Sequence, residues 1–328
     1  MKLAVFVGIA ATLFGLAGHA SRAVANDKID FRLDWSLSGF HLPFYWAEEK
    51  GYYRDEGLDV EIKQGAGSQQ TINLLAGGHD DMGFADLSLM AGSVSKGMQV
   101  KAVFAAVQKD AWSIHSHSDK PIHTPQDLIG KSIVLVADHK PMIDLLLKLN
   151  NIDPSQVTMR IANPQTRSTL FAHKAADGVL SVSMSATQTL GGGDIQSMTL
   201  SNFGVNLLGQ GIIAGTSYLN SHPDTIRRFI RATARAFKET SQPTNIEEAL
   251  SIALELSGAS PKQRDIVREQ WQKTIPLLVS KTASDKPIGW MSDEDWRDTL
   301  STLRATGRIT TDVNLPQLYT DDFIAPEN

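Results

Sequence analysis

The chain has 328 residues, a formal net charge of −5 and 0 cysteines. The absence of cysteine excludes disulfides, cysteine nucleophiles and thiolate metal sites, and the negative charge disfavours nucleic acid or an anionic membrane surface as a partner. A chain of this length exceeds a usual single core, so we expect two lobes.

The first 25 residues have the form of a secretory signal peptide. Lys2 supplies a positive charge, residues 3–18 (LAVFVGIAATLFGLAG) are apolar, and Ala23-Val24-Ala25 resembles a cleavage site. The apolar run is shorter than the roughly 20 residues of a membrane span. We therefore expect cleavage after Ala25 and export to the periplasm. Removing the positive charges of Lys2 and Arg22 changes the formal net charge from −5 to −7.

Strand-like and helix-like segments alternate in the first part of the exported chain. Strands are predicted at 29–33, 58–62, 82–84 and 100–107, and helices at 68–76 and 87–97. Ser68 follows a Gly-Ala-Gly turn and is expected to cap the first of these helices, and Asp86 is expected to cap the second.

A second α/β unit follows a loop expected at 113–125. Its predicted strands are 132–137, 157–161 and 178–182. Of its two predicted helices, one begins at Pro141 and the other runs through Leu170 and Phe171. A return strand is predicted at 211–216, and helices follow at 223–240, 246–256, 261–274 and 293–306. This alternation predicts an α/β fold with two mixed, mostly parallel sheets covered by helices.

Insertion of one unit into the other requires two crossings between the lobes. We expect them at Lys109–Ser116 and Gln210–Ser217, so that lobe 1 comprises 26–110 plus 216–328 and lobe 2 comprises 111–215. Two crossings of this kind predict a hinge with a cleft between the lobes.

Three turns of lobe 1 follow strands and precede helices. They are Ser36–His41, Gly65–Gln69 and Ala85–Ser88, and the last contains Asp86. Such turns meet at the carboxyl edge of a parallel sheet, where ligands bind. Gly67, Ser68 and Gln69 offer backbone N–H groups, a hydroxyl and a helix N-terminus, which suit an anion or the polar edge of a heterocycle.

An aromatic segment at 33–53 (LDWSLSGFHLPFYWAEEKGYY) contains the first of these turns. Trp35 and Tyr45 are predicted to form a stacking platform, with Asp34 and His41 supplying hydrogen bonds. The alternative is that Tyr45 and its aromatic neighbours fill the core beneath the helix.

Lobe 2 must supply the closing half of the site. Its candidate ligand-binding residues are Trp112 at the first crossing, His139 and Lys140 before the Pro141 helix, Arg167, and Ser183 or Ser185 after the last strand. The alternative for Lys140 and Arg167 is a solvated surface position. His115 and His117 have a spacing that suits a metal, but no third ligand is spaced convincingly. We predict no metal, no cofactor and no catalytic residue.

The chain resembles the periplasmic solute-binding proteins of ABC importers. LDW–x5–H–x3–Y, KGYYRDEGLDVEI, GAGS, GFADLSLM, DLIGKSIVLVADHKP and YLNSHPDTIRRFIRATARAF carry this resemblance over most of the exported chain. The similar groups bind nitrate, sulfonates, taurine or pyrimidine precursors of thiamine, and the fungal-type thiamine pyrimidine synthases share their fold. The resemblance implies a type II, Venus-flytrap fold, a permease in the inner membrane as partner, and a monomer.

The ligand implied by the resemblance differs between branches. In the pyrimidine-binding branch an Asp-Trp pair and a later His face the ligand, which here implicates Asp34, Trp35 and His41, although Ser38 stands where that branch often has Asn. The sulfonate branch implicates Ser68 and Gln69. A thiamine pyrimidine precursor is the expected ligand, and an alkanesulfonate, taurine, nitrate or another organic anion is the alternative.

Two other classes of protein remain as alternatives. The similar synthases are built around a Cys-rich loop and a Lys that carries pyridoxal phosphate, and the absence of Cys disfavours this enzyme. A sensor module would bind the same ligand but dock onto a receptor instead of a permease.

Overall fold

The computed structural model describes residues 26–182 and 195–325, apart from the side chains of 164 and 165. The expected signal peptide and the candidates Ser183 and Ser185 lie outside the described residues. The strands are β1 Asp27–Arg32, β2 Leu58–Lys63, β3 Met82–Asp86, β4 Val100–Ala105, β5 Trp112–His117, β6 Ser132–Leu135, β7 Thr158–Ile161, β8 Gly178–Val182, β9 Ile195–Thr199 and β10 Gln210–Gly215.

Helices cover both sheets. They are α1 Leu42–Glu49, α2 Tyr52–Asp55, α3 Ser68–Ala76, α4 Leu87–Val94, α5 Lys140–Leu149, α6 Pro164–Ala172, α7 Thr216–Ser221, α8 Pro223–Thr240, α9 Ile246–Ser257, α10 Arg264–Thr274, α11 Asp293–Ala305 and α12 Leu315–Leu318. Short 3₁₀ turns, among them Gly39–His41 and Ala137–His139, precede α1 and α5. None of the helices in the described part of the chain is both long and apolar enough to cross a membrane.

The two sheets have the same topology. The first has the order β2-β1-β3-β10-β4 and the second the order β7-β6-β8-β5-β9. In each sheet three strands run parallel, and the next strand, β10 or β5, is antiparallel to both of its neighbours. The predicted fold of two mixed, mostly parallel sheets covered by helices is confirmed.

The crossings between the sheets lie a few residues before the predicted positions. Trp112–His117 already pairs in the second sheet, and Gln210–Gly215 already pairs in the first. The chain therefore crosses at 106–111 and at 204–209. Hydrogen bonds join the two segments: Gly209 N donates to Val107 O at 2.9 Å, and Asp110 N donates to Leu207 O at 2.9 Å. We propose these two segments as the hinge.

The prediction of a loop at 113–125 was wrong for its first residues, which form β5. The polar side chains of Ser113, His115 and Ser116 are fully buried in this strand, where a buried strand is usually apolar. Their polar atoms form hydrogen bonds, as in the 3.1 Å bond from Ser113 Oγ to Thr199 Oγ1 of β9 and the 2.9 Å bond from Ile122 N to Ser116 Oγ. Burial of bonded polar groups is therefore what concealed this strand in the sequence.

Gly209 is expected to be sensitive to substitution because the two hinge segments approach each other there. A Cβ at this residue would lie 2.8 Å from Val107 Cγ1 and 2.9 Å from Val107 O. Gly209→Ala should lower the free energy of unfolding by about 1–3 kcal/mol, measured by chemical denaturation. Gly92→Ala in α4 is the control, since a Cβ there has nothing within 4 Å. Equal stability of both variants would contradict the close packing of the hinge.

Candidate ligand-binding cleft

Asp34, His41 and Ser38 form a buried hydrogen-bonded group after β1. His41 Nε2 lies 2.8 Å from Asp34 Oδ1, and Ser38 N donates to His41 Nδ1 at 3.2 Å. Because Nδ1 accepts a hydrogen bond, the proton of a neutral ring is on Nε2 and is donated to the Asp34 carboxylate. His41 has no exposed surface. The imidazole therefore holds Asp34 in place, and Ser38 holds the imidazole.

Trp35 is the exposed aromatic residue of this segment. Its side chain is 56% exposed, next to the buried Asp34. Its backbone is fixed to the following turn by the 3.2 Å bond from Gly65 N to Trp35 O. A Cβ on Gly65 would lie 2.0 Å from Leu33 O, so the turn can approach β1 this closely only with glycine. An indole fixed at the carboxyl edge of a sheet offers a flat face for stacking.

The predicted platform of Trp35 and Tyr45 needs a correction. Tyr45 lies in α1 and is only 3% exposed, in the apolar core of the first lobe. Burial raises the pKa of its phenol to about 12. Tyr45 therefore fills the core, and Trp35 alone presents an aromatic face.

Ser68 does not cap α3, contrary to the prediction. The N-cap is Gly67, and the Ser68 hydroxyl instead accepts a hydrogen bond from Asp86 N at 3.1 Å. The predicted cap by Asp86 is confirmed, since its Oδ1 accepts from Leu89 N at 2.7 Å. Gln69 directs its amide to Asn73 Oδ1 at 3.0 Å. The hydroxyl of Ser68 thus ties together the two turns of the sheet edge.

Asp110 and Arg308 were not predicted as site residues. Asp110, in the first hinge segment, is 9% exposed, and its Oδ2 is buried without a hydrogen-bond partner. Burial and the nearby charge of Asp86 raise the pKa of Asp110 well above its usual range. Burial also raises the pKa of Asp86, and the charge of the exposed Arg308 opposes the rise at both carboxyl groups. Asp110 was not predicted because the sequence of its segment indicated only a connection between the two lobes.

Trp112 and His139 bring the second lobe to the same region. Their ring centroids are 4.2 Å apart. Burial, together with the charges of Arg308 and Arg167, lowers the pKa of His139 to about 4, so its ring is neutral at pH 7. Its Nδ1 is buried without a partner. Lys140 instead pairs with Asp144 at 2.7 Å on the exposed side of α5.

Arg167 lies in the first turn of α6 and is 8% exposed. Its Nη1 donates to Leu180 O at 2.9 Å, while its Nε is buried without a partner. The structure therefore excludes the solvated position that was the alternative for this residue.

The histidines on β5 are held by hydrogen bonds within the second lobe. His115 Nδ1 lies 2.7 Å from Ser197 Oγ, and His117 Nε2 lies 2.9 Å from Phe171 O. Among the described residues no group of three or more acidic or histidine side chains is placed to hold a metal ion.

His115 is expected to make folding sensitive to acid. Burial lowers its pKa to about 4, below the unfolded value of about 6.5. The unfolded chain therefore binds the proton first, and stability is lost as the pH falls from about 6.5 to 4. His115→Gln should reduce this loss by up to about 3 kcal/mol in denaturation curves at several pH values.

The control for this experiment is His123→Gln, which changes an exposed histidine of the same lobe. An unchanged pH profile in His115→Gln would show that His115 is not the residue that titrates in this range.

The two lobes and their sheet topology define the fold as that of the periplasmic binding proteins. The structure is similar to the periplasmic aliphatic sulphonate binding protein SsuA from Escherichia coli, with a TM-score of 0.68 and 13% identity over 89% of this chain and 96% of that chain. The family model described as NMT1/THI5 like matches residues 39–246. The chain belongs to the NMT1/THI5-like family.

Relatives with similar sequences span most of the chain. The riboflavin-binding protein RibY of Chloroflexus aurantiacus is 22% identical over 86% of this chain and 82% of its own length. The formylaminopyrimidine-binding protein of Halalkalibacterium halodurans is 22% identical over 87% of both chains. The 4-amino-5-hydroxymethyl-2-methylpyrimidine phosphate synthase of Schizosaccharomyces pombe is 24% identical over 81% of this chain and 80% of its own length.

Proposed function

We propose that the chain is the periplasmic solute-binding component of an ABC importer and captures an amino-substituted heteroaromatic solute, with a pyrimidine precursor of thiamine as the best candidate. The observation that carries this proposal is the exposed indole of Trp35 beside the buried pair of Asp34 and His41. A flat ring stacked on Trp35 places its edge next to fixed carboxyl groups.

The carboxyl groups at the cleft suit the edge of an aminopyrimidine. Such an edge has an exocyclic amino group that donates and a ring nitrogen that accepts. Asp34, held by His41, supplies an acceptor. Asp110, whose raised pKa favours the protonated form, supplies both a donor and an acceptor, and its Oδ2 has no partner within the protein. A ligand that forms a hydrogen bond with Asp110 Oδ2 supplies the partner that this buried oxygen lacks.

An alkanesulfonate, taurine or nitrate is the second candidate, based on the glycine turn before α3. Two of the backbone donors of this turn are already occupied: Gly65 N bonds to Trp35 O and Gly67 N bonds to Asp34 O. The amides of Ser68 and Gln69 remain for an anion. The carboxylate of Asp34 also opposes a negative ligand in this lobe. The turn therefore favours an aromatic ligand over a simple anion.

Binding fits the cleft better than catalysis. Both ring nitrogens of His41 are engaged within the protein, by Asp34 and by Ser38, so this imidazole is not placed to transfer protons to a ligand. The ligand stabilises the closed form through the contacts it gains from the second lobe. The closed monomer is then the form that the permease recognises.

A ligand screen by thermal shift tests this function. The panel contains aminopyrimidines, thiamine, riboflavin, alkanesulfonates, taurine, nitrate and aromatic carboxylates, added to residues 26–328. A ligand at 100 times its dissociation constant adds about 2.7 kcal/mol to the stability. Stabilisation by an aminopyrimidine that mass spectrometry recovers unchanged supports the proposal. Stabilisation by sulfonates alone, or conversion of the ligand, contradicts it.

A further inference from the structure

The guanidinium of Arg167 occupies a position that is unfavourable for a cation. It lies in the first turn of α6, where Asn163 Oδ1 caps the helix by accepting from Thr166 N at 2.9 Å. The helix dipole makes this end positive, so acidic side chains are favoured in the first turn and basic ones are disfavoured. The turn follows β7, whose carboxyl end faces the same edge as those of β6 and β8.

Burial makes this position still less favourable. The side chain is 92% buried, since its exposed fraction is 8%, and burial lowers its pKa. Nη1 donates to Leu180 O at 2.9 Å, but Nε has no partner, and no described acidic residue forms an ion pair with Arg167. A buried charge without a counter-charge is strongly destabilising. Within the described part of the chain, the free protein therefore supplies no negative group to this guanidinium.

A second buried polar group without a hydrogen-bond partner lies on β8, the strand that Arg167 contacts through Leu180 O. Ser181 follows Leu180 in β8, is only 2% exposed, and its Oγ has no hydrogen-bond partner. Ser181 O lies 3.3 Å from His115 Nε2. Burial lowers the pKa values of His115 and His139, the charge of Arg167 lowers each by a smaller amount, and both rings are neutral at pH 7. The net positive charge of this group thus comes from Arg167.

The two sides of the cleft differ in the sign of their charge. On the first lobe the charged group is the carboxylate of Asp34, since burial raises the pKa values of Asp86 and Asp110, whereas the second lobe contributes Arg167 and neutral imidazoles. We propose that Arg167 and Ser181 form a subsite for an anionic oxygen group of the ligand, such as a phosphate or carboxylate. This inference rests on the proposed function and defines the ligand further, as an amino-substituted ring that carries a negative group at its opposite end.

Two compounds that differ only in the negative group test the subsite. 4-Amino-5-hydroxymethyl-2-methylpyrimidine and its monophosphate are titrated into the chain by calorimetry. We expect the monophosphate to bind at least 10-fold more tightly, and Arg167→Gln to abolish most of this ratio. Ser181→Ala should lower the ratio by a smaller factor.

Arg160→Gln is the matched control, because it removes a cation of the same lobe whose Nη1 donates to a backbone carbonyl, Ala175 O, but which is exposed. It should leave the ratio unchanged. Thermal unfolding of the free protein adds an independent measurement: Arg167→Gln should be at least as stable as the parent, since it removes an unpaired buried charge. A large loss of stability would mean that Arg167 is structural, and would overturn the subsite.

The failure of this inference is distinct from failure of the proposed function. If both pyrimidines bind equally, or if Arg167→Gln weakens both by the same factor, the subsite is wrong and the binding function stands. If neither pyrimidine binds but inorganic phosphate stabilises the chain in a manner that depends on Arg167, the subsite stands and the aminopyrimidine assignment is wrong.

Discussion

Trp35→Ala should weaken binding of an aromatic ligand by about 30-fold, or about 2 kcal/mol, in a calorimetric titration. The indole is 56% exposed in the free protein, so its removal takes away a stacking surface without opening a cavity in the core. For the same reason the stability of the free protein should change by less than about 0.5 kcal/mol. Trp35→Phe, which keeps a smaller aromatic face, should recover part of the affinity.

The control for Trp35 is Leu256→Ala, which removes an exposed apolar side chain from α9. It should leave affinity unchanged. If Trp35→Ala binds an aminopyrimidine as tightly as the parent does, the exposed indole is not a ligand platform, and the observation on which the proposed function rests is removed.

Local signals in the sequence predicted much of the fold. The helix predicted at 223–240 has those bounds as Pro223–Thr240, and the predicted cap at Asp86 is confirmed. These features depend on residues within one or two turns of one another, and such signals are readable from a single chain. The repeated alternation of strands and helices likewise fixed the fold class.

Features that depend on distant partners were not predictable in this way. Ser68 was expected to bond within its own helix, but its hydroxyl accepts from Asp86 N, 18 residues away. The sheet to which β10 belongs depends on pairing with β3 and β4, more than 100 residues earlier, so the second crossing was placed too late. Local pattern cannot show which of two sheets a strand joins.

The candidate site shows the same difference between features that local sequence predicts and features that depend on distant partners. Asp34 and His41 were both expected to face the ligand, whereas the ring of His41 is buried between Asp34 and Ser38 and contacts Phe40 and Phe84. Residue type alone does not separate a group that touches a ligand from one that positions it. Asp110 was missed for a related reason, since only the structure shows a carboxyl oxygen that is buried and unpartnered.

Asp34→Asn should distinguish the two ligand classes, because it should change their binding affinities in opposite directions. The amide still accepts from His41 Nε2 through its oxygen, so the buried group keeps its hydrogen bond while the negative charge is lost. An amino-bearing pyrimidine then loses a charge-assisted bond and should bind about 10- to 100-fold more weakly. An alkanesulfonate is instead relieved of repulsion and should bind equally well or better.

Asp144→Asn provides the control because it removes one negative charge from an exposed helix position of the second lobe. It should alter neither affinity by more than about 2-fold, since exposed charges are screened over about 10 Å at moderate salt. Weaker sulfonate binding in Asp34→Asn, with pyrimidine binding unaffected, would reverse the assignment. The carboxylate would then support the glycine turn through Gly67 and Ser68, and the cleft would be an anion site.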